Sequence, residues 1–301
     1  MNEEMHAIQS NNTWDLVSRP PNANVVGSKW GFRTKFRADG TIERYKAQLV
    51  AQGFTQIPGN ISHNFSSIVK ATTVQVILAP SLHHQDVNNA LLNGTLSKPV
   101  YMAQPSGFID PHFSDHVCQL KKALYGLRQA PFAWFHRFIT FLSHMGFRES
   151  QSDLSLFFLH RRPSIIYLLL YVDDIILTGN DPTLLGDLIQ RIHREFSIKD
   201  LGQLSYFLGL GVSYTPHGLF LGQSKYSCDI LDHIDLLDSK PVSTPQVADE
   251  ILVNTSSSFS NPILYRSIVG ALQYHTITCP DLSFTINLVS QFLHSPIDDH
   301  F

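Results

Sequence analysis

Little in this chain directs it out of a cell or into a bilayer. Its three cysteines, Cys118, Cys228 and Cys279, are far apart, odd in number and without a CxxC pair. That excludes a disulfide framework and a structural zinc site, and fits a reducing compartment. The start, Met1-Asn2-Glu3-Glu4-Met5, is acidic where a secretory leader is basic and then apolar. The most apolar run, Ile165 to Val172, falls far short of the roughly 20 residues a membrane span takes and reads as a buried strand. A net charge of -3 leaves no global footprint for a polyanion, so the local distribution of charge matters more than its sum. Internal repeats are absent as well.

What is present is a core-forming chain. With 301 residues and 43% hydrophobic content, it has room for two compact units or one catalytic domain with subdomains. Between Arg19 and Lys46 the basic residues Arg19, Lys29, Arg33, Lys35, Arg37, Arg44 and Lys46 face only Asp39 and Glu43. Lys29 to Phe36 alternates polar with apolar residues and then meets a turn at Ala38-Asp39-Gly40, which predicts a β-hairpin with one charged face. A plain solvated face is the ordinary reading of such a strand taken alone. Lys121 to Arg137 contains no acid, mixes basic with aromatic residues and becomes helical in spacing toward Leu142. It suits phosphates and stacked bases, or equally an amphipathic core helix.

Other elements follow from periodicity and punctuation. Thr73 to Leu82 reads as a helix leading to a strand at Asp86. Pro182 to Phe196 reads as an amphipathic helix opened by Asn180-Asp181-Pro182. Leu204 to Val212 pairs with Gly218 to Leu221 as a hairpin, Tyr226 to Leu237 forms a helix, Val253 to Pro262 a loop, and Tyr265 to Tyr274 the last helix.

Chemistry concentrates in carboxylates. Ile165 to Val172 and Ile175 to Leu177 bracket Asp173-Asp174, so two apolar strands present adjacent acids at a tight turn. An Asp-Asp turn alone is ordinary. Asp86, ending a strand far upstream, is placed to join them on a neighbouring strand. Three convergent carboxylates would suit hard divalent cations and in-line phosphoryl transfer. His83 and His84, adjacent on a strand and without other ligand spacing, read as incidental.

The ordered blocks Asn12-Thr13-Trp14-Asp15-Leu16-Val17, Val26-Gly27-Ser28-Lys29-Trp30, Glu43-Arg44-Tyr45-Lys46-Ala47, Asp86 through Gly94, Val100-Tyr101-Met102, Ala123 through Trp134, Ser152-Asp153, Tyr171 through Gly179 and Tyr265 through Tyr274 resemble the reverse transcriptase domain of copia-type retrotransposons. The resemblance implies an α+β right-hand polymerase with a basic fingers hairpin, an antiparallel palm sheet carrying the aspartates, and a helical thumb or connection. Fingers would span about 12–72, the palm with part of the fingers 73–200, and primer-grip hairpin and thumb or connection 201–301, with the chain stopping before a ribonuclease H domain. It further implies an RNA-directed DNA polymerase using two Mg²⁺ ions, or Mn²⁺, on an RNA template, a DNA primer and deoxynucleoside triphosphates. No membrane is implied, and the expected location is cytoplasmic, with virus-like particles as one setting.

By the same resemblance Asp86, Asp173 and Asp174 are the catalytic and metal-holding carboxylates, with the Val87 carbonyl completing one shell. Lys46, Gln48, Leu91 and Gln129 would line the nucleotide site. Lys29, Arg33, Lys35, Lys121, Lys122 and Arg128 would meet nucleic acid, and Leu204 to Val212 the primer end. Three departures bear on chemistry. Gln48 stands where the family has Arg, Leu91 where it has an aromatic, and the approach to Asp86 is several residues short, interrupted by Pro80 and lacking the apolar residue just before the aspartate. A strand shifted by one residue would turn Asp86 away. The alternative to a working polymerase is therefore an impaired remnant that at most binds nucleic acid. A metal-dependent hydrolase would leave the surrounding blocks unexplained.

Overall fold

Residues 1–36, 41–57, 69–70, 73, 82–216, 218–242 and 257–301 are described by a computed structural model, without the side chains of Lys35 and Phe36. The expected turn at Ala38-Asp39-Gly40, most of the Thr73 to Leu82 helix and the first part of the Val253 to Pro262 loop lie outside the described residues. The chain divides into two units, Met1–Gln203 and Leu204–Phe301.

In the first unit a helix, Asn2–Ser10, precedes β1 (Trp14–Val17), β2 (Val25–Val26), β3 (Ser28–Phe36) and β4 (Ile42–Ala51). The expected hairpin is β3 paired antiparallel with β4. Register places Arg33 opposite Lys46 and Gly31 opposite Gln48, so the period of two puts Lys29, Arg33, Lys46 and Gln48 on one face. The other face carries Trp30 opposite the fully buried Leu49 and, farther along, Phe32 and Tyr45, which are 69% and 76% exposed.

The strands β5 (His83–Val87), β6 (Thr95–Ala103), β7 (Val117–Lys122), β8 (Arg148–Glu149), β9 (Leu156–Arg161), β10 (Ser164–Tyr171), β11 (Asp174–Gly179) and β12 (Ile198–Gln203) complete this unit. One sheet runs β1-β7-β6-β2, with β2 parallel to β6, and a six-stranded sheet runs β12-β5-β11-β10-β9-β8. Leu168, Leu169 and Leu170 are each at most 1% exposed, so β10 is covered on both faces along this stretch, although Tyr167 is exposed. This accounts for its unbroken apolar sequence.

Two helices supply much of that cover. Ala130–His144 buries Ala130, Trp134, Phe138 and Leu142 at i+4 spacing, with Ala133 and Phe135 alongside them. Pro182–Glu195 buries Leu185, Leu188 and Ile192. Each leucine, isoleucine or phenylalanine among these contributes about 1.5–3 kcal/mol by leaving water. The second helix starts as its sequence predicts: Asp181 Oδ1 accepts from the Thr183 and Leu184 amides at 3.1 and 3.0 Å, and Pro182 occupies the first turn. Such a cap is worth about 1 kcal/mol.

The second unit holds a three-stranded sheet, β13 (Tyr206–Phe207), β14 (Leu210–Thr215) and β15 (Gly218–Gly222), and helices Ser224–His233, Pro262–His275 and Ser283–Ser290. The expected β14 to β15 pairing forms, but Leu204 to Val212 is not one strand. Leu208 and Gly209 both take positive φ, 48° and 78°, and fold β13 back onto β14 in a two-residue turn. Leucine is an unusual residue for that conformation, so nothing local announced it; the Tyr274 hydroxyl holds the Leu208 carbonyl in place. The helix expected over Tyr226 to Leu237 stops at His233, ahead of Asp235 at φ 55°. Nor is Pro262–His275 the last helix, because Ser283–Ser290 follows; its eight residues are too few to show a clear period.

Candidate active site

The acidic turn is tighter than adjacent turn-tip carboxylates would make it. Tyr171 pairs directly with Asp174, so the loop consists of Val172 and Asp173, and Asp174 already belongs to β11. Val172 carries φ 53°, a left-handed conformation costing a β-branched residue about 1–3 kcal/mol. A neighbour offsets this. Trp134 Nε1 donates to the Val172 carbonyl at 2.6 Å, and the indole is itself wedged against Phe138 and Phe196 with ring centroids 5.3 Å away in each case.

Asp86 is not turned away. β5 lies between β11 and β12, with Asp86 opposite Asp174 on one side and opposite Lys199 on the other. The Val87 amide donates to the Asp173 carbonyl at 2.8 Å, tying the strand to the turn. Asp86, Asp174, Lys199 and His84 therefore share one face. His84 is no bystander, since its Nε2 lies 2.8 Å from Asp174 Oδ1, a diagonal cross-strand pair that orients the carboxylate.

Electrostatics couple the group. Burial raises the Asp86 pKa first and Asp174 raises it further, against His84, Lys46 and Lys199. Burial also raises that of Asp173, with Asp174 and Asp86 adding, while its own backbone amide and Lys46 oppose. Lys46 thus acts on both acids from the hairpin. Among the described residues, no group of three or more His, Cys, Asp or Glu stands arranged as a metal cage.

The hairpin is brought to these acids by an interlock of glycines. The Ala51 amide donates to the Tyr125 carbonyl at 2.7 Å. A Cβ on Gly53 would lie 2.2 Å from the Gly126 carbonyl oxygen, and one on Gly126, at φ +87°, 2.1 Å from that of Ala51. Only glycine permits this approach. It seats the Tyr125 phenol, whose pKa is pushed up by burial and then by Asp173, Glu4 and Asp86, while a hydrogen bond with Gln48 opposes. Glu4, also raised mainly by burial, accepts from the Leu49 amide at 3.4 Å.

A model of the family described as reverse transcriptase (RNA-dependent DNA polymerase) matches residues 11–248. The chain belongs to that family. Across its whole length it is 44% identical to the retrovirus-related Pol polyprotein from transposon RE2 of Arabidopsis thaliana and 35% identical to that from transposon TNT 1-94 of Nicotiana tabacum. It spans 21% and 24% of those polyproteins. The copia-type resemblance is borne out. A foamy viral protease-reverse transcriptase solved in complex with dsDNA aligns at TM-score 0.45 and 12% identity, over 91% of this chain and 46% of that one, too loosely for the fold to be argued from it.

The remaining residues expected from the reverse transcriptase pattern are distributed unevenly. Leu91 sits in the short 3-10 helix Ala90–Asn93, 8% exposed and packed in the core. Gln129 accepts from Gln56 Nε2 at 3.2 Å and lines a cavity of about 460 Å³ with Lys98, Phe132, His136 and Arg137, a lining without any of the three aspartates. Lys121 is paired with Asp15 at 2.7 Å, and Arg128 donates to the Phe54 carbonyl at 3.3 Å. Lys122 is half-buried, its pKa lowered by burial and then by Arg137. Lys121 and Arg128 serve local contacts, whereas Lys29, Arg33 and Lys46 share the open hairpin face. No sequence signal marks Lys199 or gives Tyr125 and His84 a role at the site; Tyr125 at least lies inside the Ala123 through Trp134 block.

Proposed function

We propose that this chain is the polymerase core of a copia-type transposon Pol polyprotein, acting as an RNA-directed DNA polymerase on an RNA template, a DNA primer and deoxynucleoside triphosphates. The observation carrying this is the in-register facing of Asp86 and Asp174 beside the Asp173 turn, with Lys46 reaching two of the acids. In this reading the β3–β4 hairpin is the fingers, the six-stranded sheet the palm, and residues 201–301 the primer grip and thumb or connection.

The donor set fits Mg²⁺. It is all oxygen, and burial together with mutual repulsion raises the Asp86 and Asp173 pKa values from the usual aspartate value, a strain that a divalent cation would relieve. Asp86, Asp173 and Asp174, with the Val87 carbonyl, would hold two such ions. When bound, the ions would lower the pKa of the attacking primer hydroxyl and stabilise the leaving pyrophosphate. Substrate oxygens and water complete shells that the protein alone leaves open. Lys46 would bind the triphosphate, and His84 would keep one Asp174 oxygen oriented. Gln48 supplies no cation and spends a hydrogen bond on Tyr125.

Purified protein given primed RNA, deoxynucleotides and Mg²⁺ or Mn²⁺ should extend the primer, and Asp173→Asn should stop it. The second reading, an impaired remnant that only binds nucleic acid, is favoured by Gln48 in place of the family's Arg. It predicts salt-sensitive binding without extension.

A further inference from the structure

β5 is an unusual strand for the middle of a sheet. Of His83-His84-Gln85-Asp86-Val87, only Val87 is aliphatic. Gln85 stands directly before Asp86, where the resemblance leads one to expect an apolar residue. Gln85 is 1% exposed, and an amide buried so deeply works against folding unless it is paired.

It is paired at both ends. Gln85 Nε2 donates to Asp200 Oδ1 at 2.7 Å, and its Oε1 lies 3.3 Å from His193 Nε2. Asp200 is its register partner on β12, and the same Oδ1 accepts from the Gly202 amide at 2.8 Å across the β12 bulge. His193 comes from the last turn of the Pro182–Glu195 helix. Gln85 therefore joins β5, β12 and a helix, on the face of the sheet opposite Asp86. A slip of one residue would exchange Gln85 and Asp86 between faces. An apolar side chain would oppose that slip by burial alone, whereas this amide opposes it with two directional bonds.

We propose that Gln85, clamped between Asp200 and His193, is a positioning residue that locks the register of β5 and keeps Asp86 on the face it shares with Asp174. The functional consequence rests on the reading of Asp86 as a metal-holding carboxylate. In this chain the clamp stands where the resemblance leads one to expect an apolar residue.

The test compares the full chain with Gln85→Leu, Asp200→Ala, their double variant and Asp200→Asn, which keeps the accepting oxygen. Hydrogen exchange of the Val87 amide reads the register directly, Mn²⁺ binding by electron paramagnetic resonance reads the carboxylates, and thermal unfolding reads the fold. Gln85→Leu and Asp200→Ala should each speed exchange and weaken Mn²⁺ binding about tenfold. The double variant should be no worse than either, and Asp200→Asn should match the parent. Parent-like exchange in Gln85→Leu, which restores an apolar residue, would show that packing alone sets the register and overturn the clamp; so would additive losses. Asp200 is exposed, so its variants remain informative if Gln85→Leu does not fold. Failure of the unmutated chain to extend a primer would sink the polymerase reading alone, since exchange still decides the clamp.

Discussion

Trp134→Phe isolates what holds the acidic turn. The indole is 1% exposed and donates to Val172 at 2.6 Å. Phenylalanine keeps a ring against Phe138 and Phe196 but removes the donor, leaving a carbonyl in a strained turn without its partner. The lost bond costs about 1–3 kcal/mol, and the vacated half of the indole adds roughly 1 kcal/mol. A combined loss of about 2–4 kcal/mol is large against a typical total of 5–15 kcal/mol. In a unit of this size it should lower Tm by about 4–16 °C. Calorimetry measures the shift, and Mn²⁺ binding should weaken with it, because Asp173 is in the loosened loop. Adding Val172→Gly separates strain from cavity, since glycine takes a positive φ freely and should recover about 1 kcal/mol when combined with Trp134→Phe. A Trp134→Phe variant that melts within a degree of the parent and binds Mn²⁺ equally well would refute the reasoning.

Asp173→Asn should abolish extension yet stabilise the chain at pH 7. The Asp173 pKa is raised in the folded state, chiefly by burial, so ionisation costs stability as pH climbs from the unfolded value, about 4, through the folded one. The advantage of Asn should fade below that pH in urea titrations, and a variant less stable than the parent at pH 7 would contradict the assignment. Lys46→Ala removes a charge that lowers both Asp86 and Asp173. The acid limb of the pH–rate profile should move to higher pH and the nucleotide KM should rise roughly 10- to 100-fold, with an unmoved limb counting against the geometry. Gly126→Ala would put a Cβ 2.1 Å from the Ala51 carbonyl oxygen at φ +87°; chemical unfolding should show a loss of at least about 3 kcal/mol. A loss under about 1 kcal/mol would mean that the glycine interlock is not needed.

Much of the site was legible locally. Alternation in Lys29 to Phe36 marked β3, Asp181-Pro182 marked a helix start, and the apolar runs around Asp173-Asp174 marked a strand pair, because period and cap chemistry depend on near neighbours in the chain. The order of the blocks identified the family for the same reason: it is a property of the string. Whether Asp86 faced Asp174 was not legible, because strand register depends on partners about ninety residues away. The sequence signalled a missing apolar residue as a danger, and only tertiary structure showed Gln85 occupying its place with Asp200 and His193.

By itself, then, the sequence determined ancestry, the type of most elements and which carboxylates to propose for the chemistry. Tertiary structure decided how those carboxylates are held. It assigned His84 to Asp174, Trp134 to the turn carbonyl, Lys46 to two acids, and Lys121 and Arg128 to local partners rather than an open surface. The physical reason is that a hydrogen bond or a Coulombic shift depends on angstrom-scale distances between strands remote in sequence, and no periodicity along one strand encodes its neighbour's register.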